Sequence, residues 1–181
     1  MNVQLVDNDR APNVEVNIVG LLRDTRFLGA MESGFPLYVE YDIELRRSGG
    51  WFGGGTESEL TWEFVVFFDP VRELYIVEAR GVTEQFSSVS DLRIRIAQRY
   101  RIEDLHPEES GRYHYFATIT ARTLSDSDVD EVFAWLDGEH GDSTELRRPG
   151  FVTRVARRLL VQVAPLPRLT LEGRTRHFLV P

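Results

Sequence analysis

The chain has no cysteine and no lysine. Without cysteine there are no disulfides, no thiolate metal sites and no thiol nucleophile. Without lysine there is no Schiff base and no P-loop ammonium group. All 21 basic residues are arginine, which a codon bias toward arginine explains without a functional reason. No run approaches the roughly 18 apolar residues of a membrane-spanning helix. The opening residues, from Met1 to Asp9, lack the basic and apolar regions of a secretory signal. Taken as a start, they predict no signal peptide. There is no Gly-x-Ser-x-Gly elbow. The four histidines, His106, His114, His140 and His177, form no HxH or HxxxH pair, so no metal site is legible.

What is present is period-two hydrophobicity. Leu37, Val39, Tyr41, Ile43 and Leu45 alternate with Tyr38, Glu40, Asp42, Glu44 and Arg46. Leu60, Trp62, Phe64, Val66 and Phe68 continue the pattern. A turn at Asp69-Pro70 leads to a third strand over Leu74 to Val77. Tyr113, Tyr115, Ala117, Ile119 and Ala121 repeat it later, with His114 expected half-exposed on the other face. Alternation over this length marks strands with one buried face. Val14, Val16 and Ile18 predict an earlier strand at about 13–21, and Gly81 to Phe86 a short fourth strand after the hairpin.

Helix signals are fewer. Asp24 or Thr25 caps a short helix over Phe27 to Glu32, with Gly34 as its stop. Ser88 and Asp91 form a variant capping box before Val89, Leu92 and Ile96, and that helix should end near Tyr100. Val129, Val132, Phe133 and Leu136 make an amphipathic stripe after Ser125. A third helix is expected at 149–163, with Val152, Val155, Leu159 and Val163 on one face. Leu169, Leu171 and Phe178 to Val180 suggest a closing strand or tail.

These elements predict an α+β fold, mainly antiparallel β. The expected form is a sandwich-like sheet of about six strands with two or three peripheral helices. An Ig-like order comes first and a single meander sheet backed by helices second. Residues 1–12 read as a loose leader, 13–140 as the β-rich domain, and 141–181 as a basic helix and Pro-containing tail packed on it.

Charge is unevenly spread. From Leu146 to Pro181 there are eight arginines and one acid, a net of +7. The preceding part has 13 arginines and 28 acids, a net of −15, and the whole chain carries −8. Arg154, Arg157 and Arg158 share a helical face and form a candidate contact for a protein partner or an anionic membrane. The acidic remainder and the lack of interleaved aromatics disfavour nucleic acid. The second candidate contact is the stretch from Ser48 to Thr56, where glycines surround Trp51 and Phe52, an aromatic tip suited to a partner or membrane interface.

Three chemical constellations are weaker. Asp126, Asp128 and Asp130 have EF-hand spacing, but Glu131 replaces the required glycine and Asp137 the bidentate glutamate. Acids in the first turn of a helix are expected from its dipole. Glu40 and Glu63 resemble a glycosidase couple only in being two acids on adjacent strands, and alternating acids are more often a solvated face. No nucleophile, base and orienter can be named together. No catalytic residue, metal or cofactor is therefore expected.

The stretch from Ala30 to Leu45 followed by Arg46-Arg47 and an aromatic pair resembles an uncharacterised bacterial family, domain of unknown function 4390. So do Thr61-Trp62, the hairpin from Phe67 to Tyr75, and Phe86 to Leu92. The similarity covers roughly 13–136. It implies a small envelope protein made with an export segment, in some cases encoded near nitrogen-type sensor kinases, with no assigned activity or site residue. The sequence as given lacks that segment and adds the basic C-terminal part. The leading expectation is thus a non-enzymatic envelope (periplasmic) module that binds a protein partner or the membrane surface. The alternatives are a carrier of a small apolar ligand between sheet and helices, and a cytoplasmic protein with a nucleic-acid-binding basic tail.

Overall fold

The fold follows from one strand that has neighbours on both sides. In the computed structural model, which describes residues 2–7, 14–49, 54–124 and 166–181, Leu37–Ser48 forms β3. Gly55–Asp69 (β4) pairs along one side of it and Gly111–Thr123 (β8) along the other, both antiparallel. Leu37, Val39, Tyr41, Ile43 and Leu45 are all essentially inaccessible. The inner row of β8 alternates large and small: Tyr115 lies beside Leu45, Ala117 beside Ile43, Ile119 beside Tyr41 and Ala121 beside Val39. Period two thus becomes one continuous buried face.

The large sheet grows outward from these three strands. Leu74–Ala79 (β5) pairs with β4, and Val82–Phe86 (β6) pairs with β5. Asp69 shapes the β4–β5 turn by accepting the backbone N–H of Val71 and of Arg72 on its Oδ1, at 2.9 and 3.2 Å. On the far side Arg168–Arg174 (β9) and Phe178–Val180 (β10) follow one another along the same edge of β8. Thr175 sits between them. Its N–H donates to the Tyr115 carbonyl at 3.0 Å, and its hydroxyl accepts the Tyr115 N–H at 2.9 Å. Of the closing strand or tail expected here, the strand is found, in two short pieces along one sheet edge.

A three-stranded sheet packs over this face. Val14–Val19 (β2) lies between Asn2–Asp7 (β1) and Tyr100–Ile102 (β7), all antiparallel. Val14, Val16 and Ile18 enter the common core. The stretch read as a loose leader therefore contains a strand, paired residue for residue from Asn2 opposite Val19 to Asp7 opposite Val14. Its alternation is too short to separate from a polar loop in the sequence.

Two helices close one end. Thr25–Glu32 (α1) is capped by Asp24, whose carboxylate accepts the Arg26 N–H, and stops at Gly34, which has φ 91°. Phe27 and Met31 are its buried residues. Val89–Ile96 (α2) is capped by Ser88, whose hydroxyl accepts the Asp91 N–H. This helix ends at Ile96 rather than near Tyr100, because Tyr100 and Ile102 pair with β2. Tertiary pairing outweighs the local helical pattern there.

The expected mainly antiparallel, sandwich-like α+β class is what is found, with two helices among the described residues. Strand order in the large sheet is β10 (with β9), β8, β3, β4, β5, β6. A four-strand meander runs from β3 to β6, and β8 extends it on the opposite side of β3. The helices expected over 125–136 and 149–163, and the EF-hand-like acids, lie outside the described residues.

Tyr41 is fully buried, and its hydroxyl has no hydrogen-bond partner among the described residues. A buried, unsatisfied hydroxyl costs about 1–3 kcal/mol. Tyr41→Phe should therefore raise the urea midpoint at unchanged m-value, by about 1 kcal/mol of stability. A lower midpoint would mean that the hydroxyl is satisfied by buried water.

Candidate functional site

The strands of the large sheet differ in length, and that leaves one side open. β4 has fifteen residues, but β5 pairs only with Val65–Asp69. From Gly55 to Phe64, β4 has β3 on one side and no strand on the other among the described residues. The opposite edge of the sandwich is occupied, where β1 comes close to β9. The open side lies between the bare stretch of β4 and the short edge strand β7.

A cleft of about 180 Å³ runs along this opening. Ile43 of β3 and Val16 of β2 form its floor. Leu60 and Trp62 come from β4, and Tyr100 and Ile102 from β7. Arg80, Arg101, Glu103 and Asp104 make a rim of mixed charge. Trp62 and Tyr100 are half-buried, with ring centroids 4.0 Å apart, and the buried Tyr41 ring lies 4.9 Å from Trp62 and 6.0 Å from Tyr100.

The cleft is held from behind. The Tyr100 hydroxyl accepts from the Arg95 guanidinium of α2, which also binds Glu84 of β6 in a close ion pair. The bond to Glu84 holds Arg95 firmly charged, and burial pushes the Tyr100 phenol up. The loop after β7 is tied down by two inner-face tyrosines of β8. Tyr115 donates to the Leu105 carbonyl at 2.8 Å and Tyr113 to the Glu109 carbonyl at 3.0 Å. A benzene-sized ring fits a cavity of about 150 Å³, whereas drug-sized ligands need about 300–1,000 Å³. The cleft therefore suits one side chain and not an acyl chain.

The outer face of the same strands is acidic. Glu40 lies opposite Glu63, and Asp42 opposite Thr61, whose hydroxyl donates to it at 3.0 Å. The Tyr38 hydroxyl reaches both Glu40, at 2.7 Å, and Glu63, so the two carboxylates share its one proton. Glu44 is neutralised by Arg46 at 2.9 Å, and this bond lowers the carboxyl pKa. Glu40, Asp42, Glu59 and Glu63 have no arginine in ion-pair range among the described residues.

Of the sequence-derived contact residues, Trp51, Phe52, Arg154, Arg157 and Arg158 all lie outside the described residues. Of the loop that carries the aromatic pair, the two feet are described. Gly49 has φ 104° and Gly54 φ 67°, and a Cβ on Gly54 would collide with the Arg47 carbonyl. Both glycines are thus required by backbone shape. The Trp62–Tyr100 cleft was missed because its halves are separated by nearly forty positions, and Tyr100 reads as the end of a helix.

Two histidines meet unexpectedly. His114 on β8 and His177, before β10, have ring centroids 4.7 Å apart, and the Ser48 hydroxyl lies 3.1 Å from His114 Nδ1. The neighbours that shift His114 are basic, and among the described residues no carboxylate bonds to the ring. No group of three or more His, Cys, Asp or Glu side chains that could hold a metal is found among the described residues. Burial first, then the charges of His177, Arg46 and Arg174, push the His114 pKa below its ordinary 6.5.

The unfolded chain takes up a proton there as pH falls through 6.5, while the folded chain resists. Stability present above 6.5 is therefore lost as pH falls toward the lowered folded value. His114→Gln should lose less melting temperature than the parent between about pH 7.5 and about pH 5. Equal losses would mean that His114 is not a source of the acid sensitivity. In comparisons with known proteins, no family model, no curated protein and no solved structure matches this chain.

Proposed function

We propose that this chain is a non-enzymatic interaction module that binds a protein partner along the open side of its sandwich. The observation that carries the reading is the side-chain-sized aromatic cleft lying directly beneath an unpaired stretch of β4. Partly buried aromatic rings in a preformed hollow are the usual anchors of protein interfaces. The absence of a carboxylate behind the Ser48–His114 pair, among the described residues, supports a binding role over catalysis.

The other readings have less support. A carrier of an apolar ligand needs more room than this cleft of about 180 Å³ among the described residues. Nucleic acid and anionic lipid would both be repelled by Glu40, Asp42, Glu59 and Glu63. The candidate membrane contacts, Arg154, Arg157 and Arg158 with Trp51 and Phe52, lie outside the described residues. The resemblance to domain of unknown function 4390 adds the cell envelope as the proposed compartment.

In-cell photo-crosslinking tests the reading. A photoreactive residue replaces Thr61, which is exposed on the outer face of the open β4 stretch, or Val71, which is exposed at the remote β4–β5 turn. The expected result is a discrete protein adduct from position 61 that is absent from position 71. Adducts of equal intensity from both positions, or lipid adducts alone, would overturn it.

A further inference from the structure

We infer that the open edge of β4 takes up an extended, basic segment of a partner protein as an added strand, with one apolar side chain of that segment seated in the cleft. This rests on the partner-binding reading above and specifies the partner's chemistry.

The first support is the edge itself. An unpaired strand edge exposes N–H and C=O groups that template another strand, and proteins blunt such edges with lysine, proline, bulges or a covering element. From Ser58 to Phe64 the chain reads Ser-Glu-Leu-Thr-Trp-Glu-Phe, with no proline and no basic residue. The one register shift in the β3–β4 pairing lies at Leu45/Arg46, beyond this stretch. Glu59 and Thr61 are exposed, and among the described residues no strand pairs with this edge.

The second support is the chemistry of the two faces. An added strand would place alternate side chains above and below the sheet. Those on the outer face would meet Glu59 and Glu63, with Asp42 and Glu40 in the next row. Cross-strand neighbours about 5 Å apart feel one another's charge, so basic residues are favoured there. Those on the inner face would look toward Leu60 and Trp62, where the cleft has room for one ring or branched chain. The segment that fits has basic residues on one face and apolar residues on the other.

The third support is selectivity. Two copies of this chain pairing through β4 would set Glu59 and Glu63 against the same acids. Like charges directly opposite are destabilising, so the acidic row discriminates against self-pairing while admitting a basic strand.

Short synthetic peptides test this directly. The probe alternates arginine and valine about a central phenylalanine. Its controls are the same residues with arginines and apolar residues in separate blocks, and the alternating peptide with glutamate for arginine. Two further versions carry N-methyl groups on alternate amides, one in each register. Binding is read by fluorescence anisotropy, and the site by amide hydrogen exchange of the full chain.

The alternating arginine peptide should bind roughly tenfold or more tighter than either control. Its affinity should fall with added salt, and it should slow exchange of the alternate Ser58 to Phe64 amides that face away from β3. N-methylation should abolish binding in one register and leave it in the other, because an added strand directs only alternate amides at the sheet. Equal binding of blocked and alternating peptides, or indifference to both N-methylations, would overturn strand addition. So would slow exchange of the same amides in the free monomer, which would mean that the edge is already paired. A crosslink specific to position 61 together with any of these results would leave the partner-binding reading standing and remove strand addition alone.

Discussion

A strand with a neighbour on each side and a second layer over one face has no freedom to slip. β3 is in that position. A shift of one residue against β4 or β8 would turn Leu37, Val39, Tyr41, Ile43 and Leu45 out and bring Glu40, Asp42 and Glu44 into the core. Moving even one carboxylate from water to that interior costs several kcal/mol unless it is paired or neutralised. The register of the central three strands is thus set by burial alone. Turn chemistry at the Gly49–Gly54 connection needs only to permit it. Because β3 fixes β4, it also fixes where Leu60 and Trp62 face. Because it fixes β8, it places Tyr113 and Tyr115 where their hydroxyls hold the loop behind the cleft.

The open side is a consequence of unequal lengths under that constraint. β3 and β4 run together from Leu37 to Arg47, but the next hairpin is short. β5 and β6 are turned over at Arg80 and Gly81, both in the left-handed region, and α2 then crosses toward the inner face of β6 through the Arg95–Glu84 pair. The chain spent on this crossing could have continued β5 alongside β4. It instead supplies Tyr100 and Ile102, which approach the bare stretch of β4 from the other sheet without hydrogen-bonding to it. The cleft is the gap that remains between two strands belonging to different sheets.

Much of this fold was legible because period two is a direct imprint of a half-buried sheet. The strands at 37–48, 55–69, 74–79 and 111–123 announce themselves, as do the caps at Asp24 and Ser88, whose side chains each accept a backbone N–H. The losses came where local pattern and tertiary pairing disagree. Asn2–Asp7 is polar enough to read as a leader, and only its pairing with β2 makes it a strand. Tyr100 continues a helical pattern, yet its ring belongs against Trp62. The cleft and the His114–His177 contact were not legible for a deeper reason. Each depends on strand order, and alternation along a strand carries no information about which strand lies beside it. The sequence did point to aromatic and arginine-rich contacts, at Trp51, Phe52, Arg154, Arg157 and Arg158, and those lie outside the described residues.

The acids on the outer face bear on both stability and use. Four carboxylates on two adjacent strands, without arginine partners among the described residues, work against the folded state at neutral pH. Tyr38 offsets part of this by donating its hydroxyl hydrogen to Glu40 and Glu63 in a shared hydrogen bond, and Thr61 by donating to Asp42. Neutral donors can soften such a repulsion but cannot remove it. The chain has arginines to spare, and uses one at Arg46 to neutralise Glu44 on the same face. That this pairing stops at Glu44 leaves a negative field concentrated beside the long β4 edge, which has no neighbour there among the described residues. A face needed only for solubility would be served equally well by mixed charge. An acidic outer row along an open edge has a different effect: it sets which strands can approach and which are turned away.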